Sequence, residues 1–520
     1  MAGIVPAALA QGETGMAFAP TRRDVLLGGG AGLAALSLGE AVVAQTGPGP
    51  SVMDRLDPQL YIEGMTLHAH YMPGQNCGSK LQFMTQGDKR YLFHSYMTGD
   101  RKVVGRCLDV TDPLHAVVVG DNLFAGYQMQ IGYNHVIRRW ILITSVTPVE
   151  PQIDMTRGFN VNAKGLRGIR IYDVTDPSKT LLLSEWSCDQ GDPGRALQEG
   201  TGTHRNFYTG GRYAYLDTSP DNSFTGYELG RANGVQIIDI LDPAHPKFVS
   251  NIWVPGQRRG EEAEYREFAW AGGGKASPSF HGGFIVPENV EDGGRLGYGA
   301  WSVLGVRVHD LSDVTKPRLV GTWNSPDPDG GGIKFHTVDV AHIDRGIVMV
   351  SPEMIGTECK GSWYNSYVLD ARDPARLKMV AKLPVPKPPA GAPFADYCQK
   401  RGRFGPHNAP HQKAPGQAAP NFTCYTYFDA GLQCYDISNP ADPRITGFFV
   451  PPQMGSLDRP GSYNRDTDGV FVEWDRRLIW ASTSSGLYLL SSPTLGNPTF
   501  ARAGVRQWTL PALRRHWPRA

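Results

Sequence analysis

The chain has 520 residues, more than one ordinary hydrophobic core organises, so it divides into roughly two or three domains unless a repeat supplies one continuous core. Hydrophobic residues make up 41%, charged residues 19% and aromatics 10%, and 62 glycines with 40 prolines argue for many tight turns rather than long helices. Fifty-one Lys+Arg against fifty Asp+Glu leave a formal net charge of +1, with no basic run able to track a phosphate backbone, which excludes nucleic acid as a partner.

The first segment stands apart. Thr21-Arg22-Arg23-Asp24-Val25-Leu26-Leu27 leads into a Gly/Ala/Leu stretch, Gly28 to Leu38, and then Ala41-Val42-Val43-Ala44. An arginine pair, a mildly apolar core and small residues before a cut after Ala44 read as a twin-arginine export signal over residues 1–44. The competing reading is a membrane anchor, but the apolar run is shorter than the roughly 20 residues that cross a bilayer. The expectation is therefore a periplasmic or extracellular protein with no integral membrane span after cleavage. The arginine pair lies far from Met1, which suits a translation start at Met16. Residues 45–60 read as a linker, 61–505 as the folded body and 506–520 as a basic tail. A protein exported folded is commonly one that acquires a cofactor first.

One phrase recurs along the body: Leu108-Asp109-Val110-Thr111-Asp112-Pro113, Tyr172-Asp173-Val174-Thr175-Asp176-Pro177, Ile238-Asp239-Ile240-Leu241-Asp242-Pro243 and His309-Asp310-Leu311-Ser312-Asp313. It continues as Leu369-Asp370-Ala371-Arg372-Asp373-Pro374 and Tyr435-Asp436-Ile437-Ser438-Asn439-Pro440, with a degraded copy from Leu489 to Pro498. The leading aspartates stand 64, 66, 71, 60 and 66 residues apart, a period suited to a four-stranded blade with decorated loops. Within a copy, Tyr213-Ala214-Tyr215-Leu216, Gly234 to Ile240 and Phe248 to Val254 alternate as half-buried strands, and Asp-Pro turns the chain because Asp bonds its own backbone and Pro presets φ.

This Asp-Val/Ile-x-Asp-Pro turn, with its following Pro-Lys/Arg-x-Val-like step, resembles LVIVD-repeat β-propeller proteins over most of the chain after residue 80. The resemblance implies an all-β fold: a propeller of about seven blades, each of four antiparallel strands. It carries no function. Insertions at Gln152–Lys164, Gln257–Pro278, Thr357–Ser362 and Pro386–Arg403 are expected to cover one face. Seven cysteines without a Cys-x-x-Cys pair leave at least one thiol free, and Cys424 with Cys434, flanking Asp429-Ala430-Gly431, is the expected disulfide.

The innermost strands of a propeller line its channel, so residues recurring just before each inner apolar strand converge in space. Histidine recurs there in four consecutive blades as His204, His281, His336 and His407. Imidazole is a common transition-metal ligand, and four of them suit iron or copper, or else zinc, with an open position. The arrangement is similar in geometry alone to carotenoid-cleaving dioxygenases and selenium-binding-type thiol oxidases. The competing reading makes the four imidazoles polar plugs of a wet channel. His68, His70, His135, His342 and His411 read as structural or supporting groups. His94, His115, His245, His309 and His516 fall on middle strands, turns or the tail.

Metal-bound imidazoles need a partner on the other ring nitrogen. Asp339, Glu353 and Glu473 are the nearest acids, and one of them should meet an imidazole or Arg205. Glu473 interrupts an apolar run, whereas Glu353 reads more readily as an exposed alternate, so Glu473, Asp339 and Arg205 are the expected catalytic groups. No Gly-x-Ser-x-Gly, phosphate loop, His-Glu-x-x-His or dinucleotide fingerprint occurs. The sequence thus points to a metal-dependent oxidoreductase acting on a small organic substrate. Two alternatives stand beside it: a non-catalytic scaffold binding a protein or envelope partner, and a metal-dependent polysaccharide lyase whose basic cluster would be Arg205, Arg258 and Arg259.

Overall fold

The computed structural model describes residues 56–500 except 73–76, 99–102, 127, 147–165, 189–201, 219–233, much of 259–279, 329–332, 401, 411–412 and 455–466. Residues 1–44, expected to form an export signal, the basic tail, the insertion at 152–164, Arg259, His411 and His516 lie outside the described residues.

The repeat resolves into seven antiparallel blades, whose strands run in order from the axis outward. Blade 1 is Cys77–Gln86, Lys89–Met97, Val103–Asp109 and Val117–Gly120, and blade 2 is Met129–Asn134, Arg139–Val146, Gly168–Asp173 and Leu181–Ser187. Blade 3 has Tyr213–Thr218, Gly234–Asp239 and Lys247–Ile252, and blade 4 has Leu296–Ala300, Val306–Asp310 and Arg318–Trp323. Blade 5 is Ile333–Asp339, Ile347–Glu353, Tyr367–Asp370 and Lys378–Lys382, and blade 6 has Phe422–Thr426, Leu432–Asp436 and Arg444–Val450. Blade 7 is Thr467–Glu473, Leu478–Thr483 and Gly486–Ser491. Its outer strand is Thr66–Tyr71 from the other end of the chain, with Thr66 opposite Ser491 and Tyr71 opposite Leu487, and this closes the ring. Tyr61–Glu63 adds an edge strand to blade 6.

The aspartates of the motif have one repeated task. Asp109, Asp173, Asp239, Asp310, Asp370 and Asp436 each accept a hydrogen bond from the backbone N–H two residues on, at 2.8–3.0 Å. The second acid, or Asn439 in blade 6, does the same at 3.0–3.1 Å. Two consecutive Asx turns therefore fix the link from third to outer strand in six blades. The turn then rests on the preceding blade: Ser184 donates to the Pro243 carbonyl and Ser250 to that of Val314, each at 2.6 Å. At the matching place in blade 4, Gly321 leaves room for the Pro374 carbonyl, which a Cβ would meet at 1.9 Å. Between blades the sheets pack apolar side chains, as where Phe83 of blade 1 stacks on Phe471 of blade 7 at 4.3 Å.

The ring departs from a regular propeller at its inner edge. In blades 3, 4 and 6 the innermost strand is pared down to isolated bridges, Thr203 to Thr218 and Phe207 to Tyr215, Ile285 to Tyr298, and Phe404 to Phe428. The disulfide is also not the expected one. Cys424 and Cys434 are opposite each other in blade 6 but remain buried free thiols, with Cys434 Sγ against Met65. The bridge is Cys359–Cys398, which ties the insertion at 357–362 to the one at 386–403. Those two insertions also pair by backbone, with the Glu358 N–H donating to the Gly402 carbonyl at 2.9 Å. Among the described residues there is no α-helix and no helix long and apolar enough to cross a membrane.

Candidate metal centre

All four inner-edge histidines lie on irregular backbone. The N–H of His204 donates to the Asp217 carbonyl, that of His281 to Ala300 and that of His407 to Thr426, each at 2.9–3.0 Å, so three blades hold their imidazole by a matching bond to the second strand. His336 sits in a bulge, because the register of blade 5 breaks between Ile333 and Thr337. Bulges and bridges of this kind turn side chains away from the sheet faces and toward the axis. Gly282, at φ 102°, allows the approach of blades 4 and 5, since a Cβ there would fall 1.4 Å from the His336 carbonyl oxygen.

The imidazoles form an arc. Ring centroids are 4.8 Å apart for His204 and His281, 5.0 Å for His281 and His336, and 4.8 Å for His336 and His407. His281, His336 and His407 are buried, and His204 is half-buried. At the centre of the arc stands Glu353, from the end of the second strand of blade 5. Its Oε2 is 3.2 Å from His281 Nε2 and 3.4 Å from His336 Nε2, and its Oε1 is 3.6 Å from His407 Nε2. Donor atoms of His281, His336 and Glu353 all lie within 4.8 Å of one another. Donors about 2.0–2.2 Å from a common ion stand roughly 3.0–3.5 Å apart at tetrahedral or right angles, so the carboxylate-to-imidazole spacings fit a shared ion.

The hydrogen bonds fix where the protons are. The Thr337 hydroxyl donates to the His407 carbonyl at 2.7 Å, so toward His336 Nδ1, also at 2.7 Å, it acts as acceptor. The His336 proton is then on Nδ1, and its Nε2 carries a lone pair that faces a carboxylate oxygen and makes no hydrogen bond. Asp468 Oδ1 lies 2.7 Å from His407 Nδ1, which favours the proton there and leaves His407 Nε2 to accept from Arg205 at 2.8 Å. Burial, followed by the charge of Arg205, pushes His336 well below the usual imidazole range; burial pushes His407 down to about 4. Burial alone would raise Glu353, but the Arg403 guanidinium against its Oε1 outweighs it and holds the carboxyl well below its ordinary value. The centre thus presents an ionised carboxylate beside two imidazoles, those of His336 and His407, that burial keeps neutral, the protonation states in which these groups bind metals.

Residues 230–253 and 419–449 match the LVIVD repeat; they take in the third and outer strands of blade 3 and the second, third and outer strands of blade 6, with the Asx turns of both. The chain is a seven-bladed β-propeller that carries LVIVD repeats. A search of curated proteins finds no match for it.

The propeller gathers His281, His336 and His407 around Glu353, while His204 stacks on His281 at the open end of the arc. Arg205 joins them through His407, and its other terminal nitrogen donates to Asn408 Oδ1 at 2.7 Å. The other two expected catalytic acids stand elsewhere. Glu473 is bound by Arg90, by Arg476 at 2.8 Å and by the Trp480 indole N–H at 2.8 Å, a buried ion cluster that joins blade 7 to blade 1. Asp339 accepts from the Ala341 N–H at 2.9 Å, and burial raises its carboxyl to about 6.

Sequence reasoning passed over Glu353 in favour of Glu473, although both end an apolar strand. It also missed Arg403, which donates to Glu353 Oε1 at 2.8 Å from within the disulfide-tied insertion, and Asp468 of blade 7. No local signal marks Arg403, whose position depends on the insertion folding back. Of the other histidines, His68 bonds Ser491, His70 stacks on Tyr488 at 4.0 Å, His342 bonds the Phe422 carbonyl, and His135 is exposed at a hairpin tip. Arg258 lies over the Trp253 ring at 4.6 Å.

Proposed function

We propose that the propeller is an exported metalloprotein that binds one transition-metal ion through His281 Nε2, His336 Nε2 and Glu353, and uses it in oxidoreductase chemistry on a small organic substrate. One observation carries this reading. The His336 Nε2 lone pair faces the Glu353 carboxylate at 3.4 Å, two buried electron-rich groups that repel unless a cation lies between them. Two imidazoles and one carboxylate leave coordination positions open and suit iron(II) ahead of copper or zinc. His407 and Asp468 lie behind the donors as supporting groups, and Arg403 keeps Glu353 ionised and oriented. A disulfide across two insertions accords with an oxidising compartment, and so with export.

Elemental analysis of protein exported by its own signal and purified without an affinity tag tests the reading. About one equivalent of iron, copper or zinc per chain is expected. Protein that carries none, and takes none up when dialysed against each ion in turn, would leave the scaffold reading in its place.

A further inference from the structure

The two oxygens of the Glu353 carboxylate have different surroundings. Oε2 lies 3.2 Å from His281 Nε2 and 3.4 Å from His336 Nε2, whereas Oε1 accepts from the Arg403 guanidinium at 2.8 Å and stands 3.6 Å from His407 Nε2. His407 Nε2 in turn accepts from Arg205 at 2.8 Å. One oxygen therefore faces the imidazoles that would share an ion, and the other faces the guanidiniums. Arg403 has little freedom to leave its place. Its side chain is 1% exposed and lies over the Phe428 ring at 4.2 Å, and its Nε donates to the Met354 carbonyl at 2.7 Å, so it grips the acid and the next stretch of backbone together. Its own backbone is tied by the bridge to Thr357 and by the Asp429 N–H, which donates to the Arg403 carbonyl at 3.0 Å. A planar guanidinium pinned in this way fixes the orientation of the carboxylate it binds.

We infer that Arg403 is a positioning residue that confines Glu353 to a single bond with the ion, through Oε2, and so sets how many coordination positions stay open. The inference rests on the metal reading. A carboxylate can bind a cation through one oxygen or through both. Chelation through both would bring the ion to bonding distance of Oε1, beside a guanidinium already bound there, and in this buried place the two like charges are poorly screened. Binding through Oε2 alone keeps the carboxylate between them. An octahedral ion held by two imidazoles and one carboxylate oxygen has three positions left for ligands from outside the protein, and a chelating carboxylate would take one of them. Three open positions admit a ligand that binds through two of its atoms, with one position to spare.

The test is infrared difference spectroscopy of the full chain with isotope-labelled glutamate carboxyl groups, metal-loaded minus metal-free, with metal content measured on each sample. Iron(II) is used under anaerobic conditions, or copper or zinc if iron is not taken up. A carboxylate bound through one oxygen widens the gap between its antisymmetric and symmetric stretches, and a chelating one narrows it. The ion should widen that gap for the responding glutamate of the wild-type protein and narrow it in Arg403→Met, while Arg403→Lys, which returns a cation to Oε1, should restore the wild-type direction. Loosened packing alone would not reverse the shift and then be rescued by lysine. Should Arg403→Met fail to fold, the wild-type spectrum decides by itself. A narrowed gap in the wild-type protein, or a widened one in folded Arg403→Met, overturns the inference and leaves the metal reading standing. Protein that takes up none of the three ions overturns the metal reading, and the inference with it.

Discussion

Thr337 decides which nitrogen of His336 is available, because its one hydroxyl proton goes to the His407 carbonyl. Replacing Thr337 with Val removes the acceptor that holds the His336 tautomer, and a lost supporting partner of this kind costs roughly 10–100-fold in metal affinity. Competition titration against a chelator should read that loss while the unfolding midpoint moves little. Glu473 gives the converse expectation. Glu473→Gln strips a carboxylate from two arginines whose side chains are 3% and 1% exposed, which costs about 3–5 kcal/mol in denaturant unfolding and leaves metal content unchanged. A Glu473→Gln protein of normal stability that has lost its metal would refute this assignment. The histidines were legible because imidazole recurred at one place in the blade. The choice between Glu353 and Glu473 was not, since both end apolar strands and only the ring determines that one faces imidazoles and the other arginines.

The disulfide is one of the ties that hold the Arg403 insertion against blade 5, beside the backbone bridge of Thr357 to Arg403. Cys359 and Cys398 close 39 residues of chain, and Arg403 beyond them donates both to Glu353 and, at 2.7 Å, to the Met354 carbonyl. Converting both cysteines to serine should cost roughly 3–4 kcal/mol by loop closure and weaken metal binding several-fold as Arg403 loosens. Unchanged metal affinity in the folded double variant would show that Arg403 is held without the disulfide. The Asp-Pro turns could be read in advance because each is a local matter of an aspartate and its own backbone. The disulfide could not, because Cys424 and Cys434 are close in sequence but in neighbouring strands, whereas Cys359 and Cys398 meet only when two insertions fold over the same blade.

Across the whole ring, several buried histidines make stability depend on pH. Burial lowers His94 and His342 to about 4 and His309 to about 3, so the unfolded chain takes up protons from near pH 6.5 downward while the fold resists them. Their contribution is full above pH 6.5 and is lost as pH falls toward 4. Asp339, raised to about 6, works in the opposite direction but is a single group against three. Urea unfolding midpoints should therefore fall between pH 7 and pH 4.5, and a midpoint that rises over that range would contradict these burial assignments. Ring closure by Thr66–Tyr71 makes a second demand on the whole molecule. A chain lacking residues 1–71 should lose cooperative unfolding, because blade 7 then lacks its outer strand.

An ion held on the propeller axis, between imidazoles of blades 4 and 5 and the Glu353 carboxylate, is the centre on which the proposed chemistry depends. Anomalous diffraction at the absorption edge of the ion, from crystals grown with iron(II) under anaerobic conditions, tests it most directly. One strong peak is expected within about 2.0–2.3 Å of His281 Nε2, His336 Nε2 and a Glu353 oxygen, absent from crystals of His336→Ala. No peak at that place, or a peak that persists unchanged in His336→Ala, would contradict it.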